Sequence, residues 1–342
     1  MVTRNLLISF TVAIIGGYLA SLLNIPLPWT LGALFTSIVW NLCTQHYVVL
    51  KQGRRIGQFI IGISLGLYFT RDIVHLISQE WFLLSLGVFA CLFVSLMTIF
   101  INAKQHASFA TIYFTYLPGG ASEMVNMSKK FGADPAFVAI GHTVRIVLLV
   151  FSVPLLATIW SDVSRVSDVA YVENHLSILG MIIIGICSLI GVLGWKKLKQ
   201  ANPWMIGALL GTALPTYFME LSMKVPVSFL AFAQILLAMA LADPITTQTV
   251  KQGLKYMRGM ILSSMMGIMA LIVVAYVISM RFHLDFLTIG LGMMPGGISE
   301  MGLTAKQLHL NVAIVTTMQT LRLLMVMVVA RPVFVWIEYF RK

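Results

Sequence analysis

The chain has 342 residues, of which 59% are hydrophobic and only 10% are charged. A soluble domain carries about 25% charged residues, so this composition excludes an ordinary soluble enzyme or DNA-binding domain and indicates an integral membrane protein. The formal net charge is +11. In a membrane protein such a charge must first be interpreted from the distribution of Lys and Arg among the loops, before nucleic acid is considered as a partner.

Apolar segments long enough to cross about 30 Å of hydrocarbon recur along the whole chain, without the period-two alternation of barrel strands. The sequence therefore predicts an all-α fold. In the first half we predict helices at 5–23, 29–45, 56–70, 81–101 and 135–160, with a broken element at 107–131. In the second half we predict helices at 174–195, 203–219, 226–243, 258–280 and 311–338, with a broken element at 284–309. The first segment has no small-residue cleavage site before Pro26, so we expect it to be retained as a helix.

A heptapeptide, Pro-Gly-Gly-x-Ser-Glu-Met, occurs at 118–124 and again at 295–301, an offset of 177 residues. Pro28-Trp29 and Pro203-Trp204 repeat at nearly the same offset. These matches predict an internal duplication, with one membrane repeat at 1–172 and a second at 173–342. In each heptapeptide Pro and Gly break a helix, and we expect Ser122 or Ser299 to cap the helix that follows.

The charged loops predict how the two broken elements lie in the membrane. If both are re-entrant hairpins, five spans per half invert the second repeat relative to the first. With a cytoplasmic N-terminus, most loop Lys and Arg residues then lie inside, among them Lys196, Lys197 and Lys199. We therefore predict an all-α integral membrane protein of two inverted-topology repeats, with about ten transmembrane helices plus two re-entrant helical hairpins. It should be a multi-pass protein of the cell inner (cytoplasmic) membrane with cytoplasmic N- and C-termini.

The turns of the two predicted hairpins form the first candidate site. A helix of about eleven residues follows each turn, so its N-terminus should lie near mid-membrane. Backbone N–H groups and the helix dipole attract anions there, and glycine lets a ligand approach the backbone. The predicted substrate-binding residues of the turns are Gly119, Gly120, Ser122, Gly296, Gly297 and Ser299. The alternative is a kinked structural hairpin, but paired interrupted segments favour a binding site.

Two intramembrane arginines, Arg145 and Arg322, occupy equivalent positions in the two halves. Charged residues are costly at that depth and face a cavity or a partner. Glu123 and Glu300 each precede their arginine by 22 residues, so one alternative is two buried Glu–Arg pairs with a structural role alone. In the other alternative the arginines bind an anionic substrate and the glutamates couple transport to protons or sodium.

Three further sets of residues complete the prediction. Gln58 and Gln234, one in each half, lie beside small residues, and we expect a role in helix packing first and in lining the substrate site second. His142 lies one turn from Arg145 and is matched by Gln319, which argues against a symmetric role for the histidine. The three cysteines fall in apolar spans and are interpreted as small buried hydrophobic residues: Cys43, Cys91 and Cys187.

The first heptapeptide continues through 125–127 and 131–134 to Arg145, and the second is followed by Arg322 at the same spacing. In these features the chain resembles the AbrB-type duplicated membrane protein family, over nearly its whole length. Members of that family are labelled as AbrB-family transcriptional regulators or as ammonia monooxygenases, and their plan is similar to that of secondary transporters with inverted repeats. The resemblance implies an inner-membrane protein and supplies no agreed catalytic residues.

Secondary transport of a small solute, an organic anion or carboxylate first and a small cation such as ammonium second, is the function that this sequence favours. A membrane-bound, ammonia monooxygenase-like oxidase is the enzymatic alternative, but the scattered histidines offer no clustered metal ligands. A gene-regulatory role would be indirect, since the chain contains no DNA-binding module. We therefore expect no catalytic residues, no metal and no cofactor. The expected partners are a small-molecule solute, a coupling ion and membrane lipid, without direct nucleic acid, and a homo-oligomer is one alternative for the assembly.

Overall fold

The computed structural model describes residues 2–44, 46–103, 107–161, 178–219 and 223–341. In these ranges the chain forms helices and no strand, which confirms the predicted all-α class. The helices of the first half are α1 (Val2–Leu22), α2 (Pro28–Cys43), α3 (Gly53–Gly66), α4 (Arg71–Gln79), α5 (Trp81–Asn102), α6 (Phe109–Tyr116), α7 (Ala121–Lys130) and α8 (Pro135–Ser161). Those of the second half are α9 (Ile178–Lys197), α10 (Ala208–Met219), α11 (Val227–Ala242), α12 (Thr247–Phe282), α13 (Phe286–Met293), α14 (Ile298–Gln307) and α15 (Val312–Arg341).

Several of these helices are compatible with a membrane protein. Within the described ranges, six are long and apolar enough to cross a bilayer: α1, α5, α8, α9, α12 and α15. Helices α3 and α4 pass the same test only together and are bent by 85° at their junction, while α11 is a shorter apolar helix. The chain is therefore a helical membrane protein by length and composition.

Two predicted boundaries are wrong. The predicted span 56–70 ends four residues too late, because α3 runs from Gly53 to Gly66, and the separate helix α4, which no prediction covers, begins at Arg71. The predicted span 258–280 lies inside the 36-residue helix α12, which begins at Thr247. The polar stretch from Thr247 onward thus belongs to a helix instead of a loop, and Pro244 lies before the first turn, where it interrupts no helical hydrogen bond.

Two helical segments start in the same way, and proline explains why. Leu27 adopts a left-handed conformation, with φ 48°, immediately before Pro28 begins α2. Asn202, with φ 53°, does the same before Pro203, which begins a π-helical turn at Pro203–Gly207 that leads into α10. Proline suits the first helical position because its fixed φ is helical and the N–H that it lacks has no partner in the helix.

The chain divides into two compact units. Unit 1 comprises residues 1–79, 150–251 and 298–313, and unit 2 comprises 80–149, 252–297 and 314–342. Each unit takes segments from both halves of the sequence. The units are therefore not the same as the predicted repeats 1–172 and 173–342. The repeats stay a prediction that the two halves of the sequence are duplicates.

Close packing around α3 organises unit 1. A Cβ atom on Gly62 would lie 2.7 Å from the carbonyl oxygen of Met205, and one on Gly57 would lie 2.8 Å from that of Ala233. Glycine is needed at such positions because a side chain would displace a neighbouring helix backbone. Helix α3 thereby packs against the 203–207 turn, α10 and α11.

An aromatic cluster organises part of unit 2. Tyr113 and Phe114 of α6 are fully buried and pack against Phe334 of α15, with ring centroids 5.2 and 5.3 Å from it. The Tyr113 hydroxyl donates a hydrogen bond of 2.9 Å to the Ala330 carbonyl. Such aromatic pairs stabilise a core beyond the area they bury, and a buried hydroxyl needs a partner. The first half of the 109–130 hairpin is therefore fixed to α15.

Candidate functional site

Each heptapeptide forms the turn between two short helices, and the names first hairpin and second hairpin denote α6 with α7 and α13 with α14. Helices α6 and α13 each have eight residues, and helices α7 and α14 each have ten. In the first turn the Gly119 N–H donates to the Leu117 carbonyl at 2.9 Å, and in the second the Gly296 N–H donates to the Met294 carbonyl at 2.8 Å. Both predicted broken elements are therefore broken at the expected residues.

The predicted serine caps are wrong. Helix α7 begins at Ala121, so the N-cap is Gly120 and no side chain caps it. Ser122 is the second residue of α7, and Ser299 is the second residue of α14. The Ser299 hydroxyl donates to Glu300 Oε2 at 2.9 Å. Gly120 already supplies the extended conformation that an N-cap needs, so α7 starts earlier than its serine.

Arg145 and Arg322 bind the carbonyl groups at the C-terminal ends of the first hairpin helices. Arg145 Nη1 donates to the carbonyls of Tyr116 and Leu117 at 3.4 and 3.3 Å. Arg322 Nη1 donates to the Met294 carbonyl, and Arg322 Nη2 donates to the Gly296 carbonyl at 2.9 Å. Leu117 and Met294 are the C-caps of α6 and α13. A cation is favourable there because the last carbonyls have no helical donor and carry the negative end of the helix dipole.

His142 and Gln319 assist the two arginines at equivalent positions. Arg145 Nη2 lies 2.9 Å from His142 Nδ1, and His142 Nε2 lies 2.9 Å from the Phe114 carbonyl. Because a guanidinium nitrogen only donates, Nδ1 must accept and Nε2 must donate, which makes the imidazole neutral. Gln319 Nε2 donates to the carbonyls of Leu291 and Met294 at 2.7 and 2.9 Å. Although they differ in residue type, both side chains therefore donate hydrogen bonds to carbonyl groups of the preceding short helix.

The two arginines also share one buried environment in unit 2. Arg145 is 6% exposed and Arg322 is 2% exposed. Their guanidinium groups interact with each other electrostatically, and both interact with the buried thiol of Cys91. Within the described part of the chain, the Nε atom of each arginine has no hydrogen-bond partner. Two like charges without hydration and with unsatisfied donors favour a negative group beside them.

Glu123 is not among the hydrogen-bond partners of Arg145 in the described ranges. Its side chain instead folds back over Gly120, with Oε2 in the space that a Cβ atom on that glycine would occupy. Glu123 also keeps part of its surface exposed. The carboxylate thus lies at the N-terminus of α7, where the helix dipole favours negative charge.

Glu300 lies in a different environment, in unit 1. It is 8% exposed, the Ser299 hydroxyl and its own backbone N–H donate to it, and the exposed Arg54 interacts with it electrostatically. Burial of an ionised carboxylate without a bonded cation costs several kcal/mol. The start of α14 returns at most about 2 kcal/mol of that cost. Burial therefore dominates the electrostatics of this carboxyl group.

The far end of α14 is attached to neighbouring segments of unit 1. Lys306 Nζ donates to the Ser64 hydroxyl of α3 at 2.8 Å and lies 5.8 Å from the ring centroid of Tyr68. Gln307 Oε1 accepts a 2.6 Å hydrogen bond from the Leu27 N–H. These contacts and the burial of α14 from Ile298 to Ala305 fix the helix in its unit.

Gln58 and Gln234 are buried in unit 1, at 8% and 9% exposure, on α3 and α11. These two helices pack directly against each other. The structure thus brings the glutamines onto neighbouring helices, as their predicted packing role requires. Within unit 2, the arginines share their unit with Gly119, Gly120 and Glu123 of the first hairpin and with Gly296 and Gly297 of the second.

Two residues with polar contacts were missed by sequence reasoning. Cys91 was interpreted as a small hydrophobic residue, and nothing in the sequence marks its position beside two arginines. Lys306 lies in the predicted broken element at 284–309 and was given no contact, but it is partly buried and bonded to Ser64. Its spacing of 177 residues from Lys129 was a signal of equivalence, although Lys129 is exposed. In the described ranges, no group of three or more His, Cys, Asp or Glu residues could hold a metal ion.

Together, the long apolar helices and the two broken-helix turns define a polytopic helical membrane protein. Residues 41–338 match the sequence model of a family described as "Transition state regulatory protein AbrB", so the chain belongs to the AbrB family. This confirms the resemblance seen in the sequence.

Two relatives are similar along most of their length. "Uncharacterized protein YhjN" of Bacillus subtilis (strain 168) is 22% identical over an alignment of 343 positions, which includes 93% of this chain and 89% of the relative. "Putative regulator AbrB" of Escherichia coli (strain K12) is 23% identical over 315 residues, which cover 90% of this chain and 88% of the relative.

Proposed function

We propose that this protein is a secondary transporter for a small organic anion or carboxylate, coupled to a proton or sodium ion. The observation that carries the proposal is the pair of buried arginines in unit 2, one from each half of the chain, whose Nε donors lack partners among the described residues. A carboxylate offers two acceptor oxygens and a negative charge, which are the groups that these donors lack. Buried charges in a membrane protein commonly mark the path of a solute.

The proposal includes inverted repeats that alternate access to a central site. The equivalent arginine contacts, the equal lengths of the hairpin helices and the left-handed residues support a duplication. Those residues recur at matching offsets, as Asn24 with Lys199, Leu27 with Asn202, and Gly132 with His309. Five spans in each half, two re-entrant hairpins and cytoplasmic termini in the inner membrane complete the arrangement.

Accessibility tags test this topology directly. A tag at Ser167, which lies outside the described residues, should be reached from outside the cell, and a tag at Gln200 should be reached from the cytoplasm. Tags on the same side would contradict a span between these two loops, and exchanged sides would contradict inverted repeats, because a sixth crossing in the first half would put Ser167 inside and Gln200 outside.

The proposed transporter is not an enzyme and acts on gene expression only indirectly, through the solute that it moves. The name of the Escherichia coli relative describes that protein as a regulator, and a transported solute is one route to such an effect. A membrane-bound oxidase is the alternative to be tested. Stoichiometric copper or iron in the purified protein would favour the oxidase, since such chemistry requires a redox metal.

Uptake into proteoliposomes tests the proposed transport. Labelled acetate, succinate and citrate, with labelled ammonium as the alternative cation, should be presented to the wild type and to the Arg145→Gln/Arg322→Gln variant. We expect uptake of at least one carboxylate by the wild type and loss of that uptake in the variant. Equal uptake by both proteins would contradict a substrate role for the arginines. Uptake of ammonium alone would show that the substrate is a cation and contradict the proposed organic anion.

A further inference from the structure

The two hairpins present their glutamates in different ways, although the surrounding sequence is the same. Glu123 is partly exposed at the start of α7 and lies over Gly120, whereas Glu300 is buried in a helix whose residues from Ile298 to Ala305 are all buried. A carboxylate that touches solvent remains hydrated in its ionised form, but a buried one loses that hydration. The burial of α14, and not the heptapeptide sequence, therefore removes hydration from the Glu300 carboxylate.

The contacts around Glu300 provide no bonded cation in the described part of the chain. The basic groups that act on α14 are Arg54 on α3, Lys306 on α14 itself and Lys224, which interacts electrostatically with Lys306. Lys306 donates to Ser64 at 2.8 Å and so is engaged away from the carboxyl group. Arg54 is exposed, and solvent screens its interaction. Neither lysine nor arginine therefore replaces the hydration that Glu300 has lost.

From this geometry we infer that Glu300, and not Glu123, is the proton-carrying group of the protein. The inference rests on the proposed function and narrows its coupling ion to a proton and its coupling residue to the second hairpin. Glu300 takes up one proton on its carboxylate while α14 is packed in unit 1, and it releases that proton when the group becomes hydrated. A sodium ion fits less well, because it would need several oxygen ligands and the charged groups that act on α14 are basic.

Infrared spectroscopy of the purified protein tests the protonation directly, without any solute. At neutral pH the wild type should show the C=O stretching band of a protonated carboxylic acid, which an ionised carboxylate lacks. With only 12 Asp and Glu residues in the chain, single substitutions can assign the band. We expect the band to be lost in Glu300→Gln and retained in the matched control Glu123→Gln. A band retained in Glu300→Gln, or lost in Glu123→Gln, would overturn the assignment.

Proteoliposomes then separate this inference from the proposed function. Exchange of labelled carboxylate across the membrane needs no net release of a proton, whereas accumulation driven by a proton gradient does. Glu300→Gln mimics the protonated form and cannot release a proton, so it should lose gradient-driven accumulation down to the background of empty vesicles, a larger loss than any loss of exchange. Accumulation retained by Glu300→Gln would contradict proton carriage by Glu300 while leaving transport intact. Absence of both activities in the wild type would instead contradict transport, and the infrared band would still decide whether Glu300 is protonated.

Discussion

The two hairpins differ in the surroundings of their second helices and agree in the surroundings of their first. Helices α6 and α13 both end on carbonyls that an arginine binds, with a neutral donor side chain beside it. Helix α7 packs on α6 and exposes Lys129 and Lys130, whereas α14 is buried and bonded to α3. One motif thus forms the same turn in two places, while packing gives the two glutamates different surroundings.

The equivalence of the first helices predicts equal and large effects for the two arginines. Arg145→Gln and Arg322→Gln should each abolish carboxylate uptake. Each should also lower the free energy of unfolding by on the order of 3 kcal/mol, because buried carbonyls lose their donors. Relief of the repulsion between the two guanidinium groups will offset part of this loss. Thermal unfolding of the purified variants and uptake into proteoliposomes measure both quantities, and a clear inequality between the variants would break the equivalence.

The difference between the second helices predicts a smaller and asymmetric effect for the two lysines. Lys306→Met removes the hydrogen bond to Ser64 and should lower the free energy of unfolding by about 1.5–3 kcal/mol, since hydrogen bonds that involve a charged group contribute that much. Lys129→Met is the matched control and should stay within about 0.5 kcal/mol of the wild type, because the side chain is exposed. Denaturation in detergent compares the two variants. If both lysines behaved alike, attachment of α14 through Ser64 would not matter for stability.

A still smaller effect is expected when the first hairpin is made like the second. In His142→Gln the new amide can donate to the Phe114 carbonyl, as Gln319 donates to Leu291. The free energy of unfolding should therefore change by less than about 1 kcal/mol. Thermal unfolding checks this, and His142→Leu serves as a control that leaves the carbonyl without its donor. Equal stability of the Gln and Leu variants would show that the donor role is unimportant.

The smallest expected effect concerns Glu123 and Arg145. Because Arg145 donates to carbonyls and lies against His142, Glu123→Gln should not restore the stability lost in Arg145→Gln. The coupling free energy in a double-mutant cycle should lie within about 0.5 kcal/mol of zero. Unfolding of the wild type, both single variants and the double variant gives this value. A recovery of stability in the double variant would indicate a Glu123–Arg145 pair and contradict the contacts described for Arg145.

Much of the candidate site could be predicted from residue order. The equivalence of Arg145 and Arg322 and the break at each Pro-Gly-Gly turn follow from chain position and from the backbone preferences of proline and glycine, which act locally. The helix boundaries at Gly66 and Thr247 were missed, because apolar composition alone does not mark where a helix bends or continues into polar residues. The role of His142 was obscured because a histidine and a glutamine can donate the same hydrogen bond.

The sequence by itself determined the all-α class, the membrane character and the positions of both broken helices, since hydrophobic length and local backbone chemistry specify them. The tertiary structure decided which carbonyls the arginines bind, that Cys91 lies beside them, and that Glu300 is buried while Glu123 is not. The physical reason is that burial and electrostatic environment depend on neighbours that are distant in sequence. Two identical heptapeptide patterns therefore cannot show which of their carboxyl groups is buried.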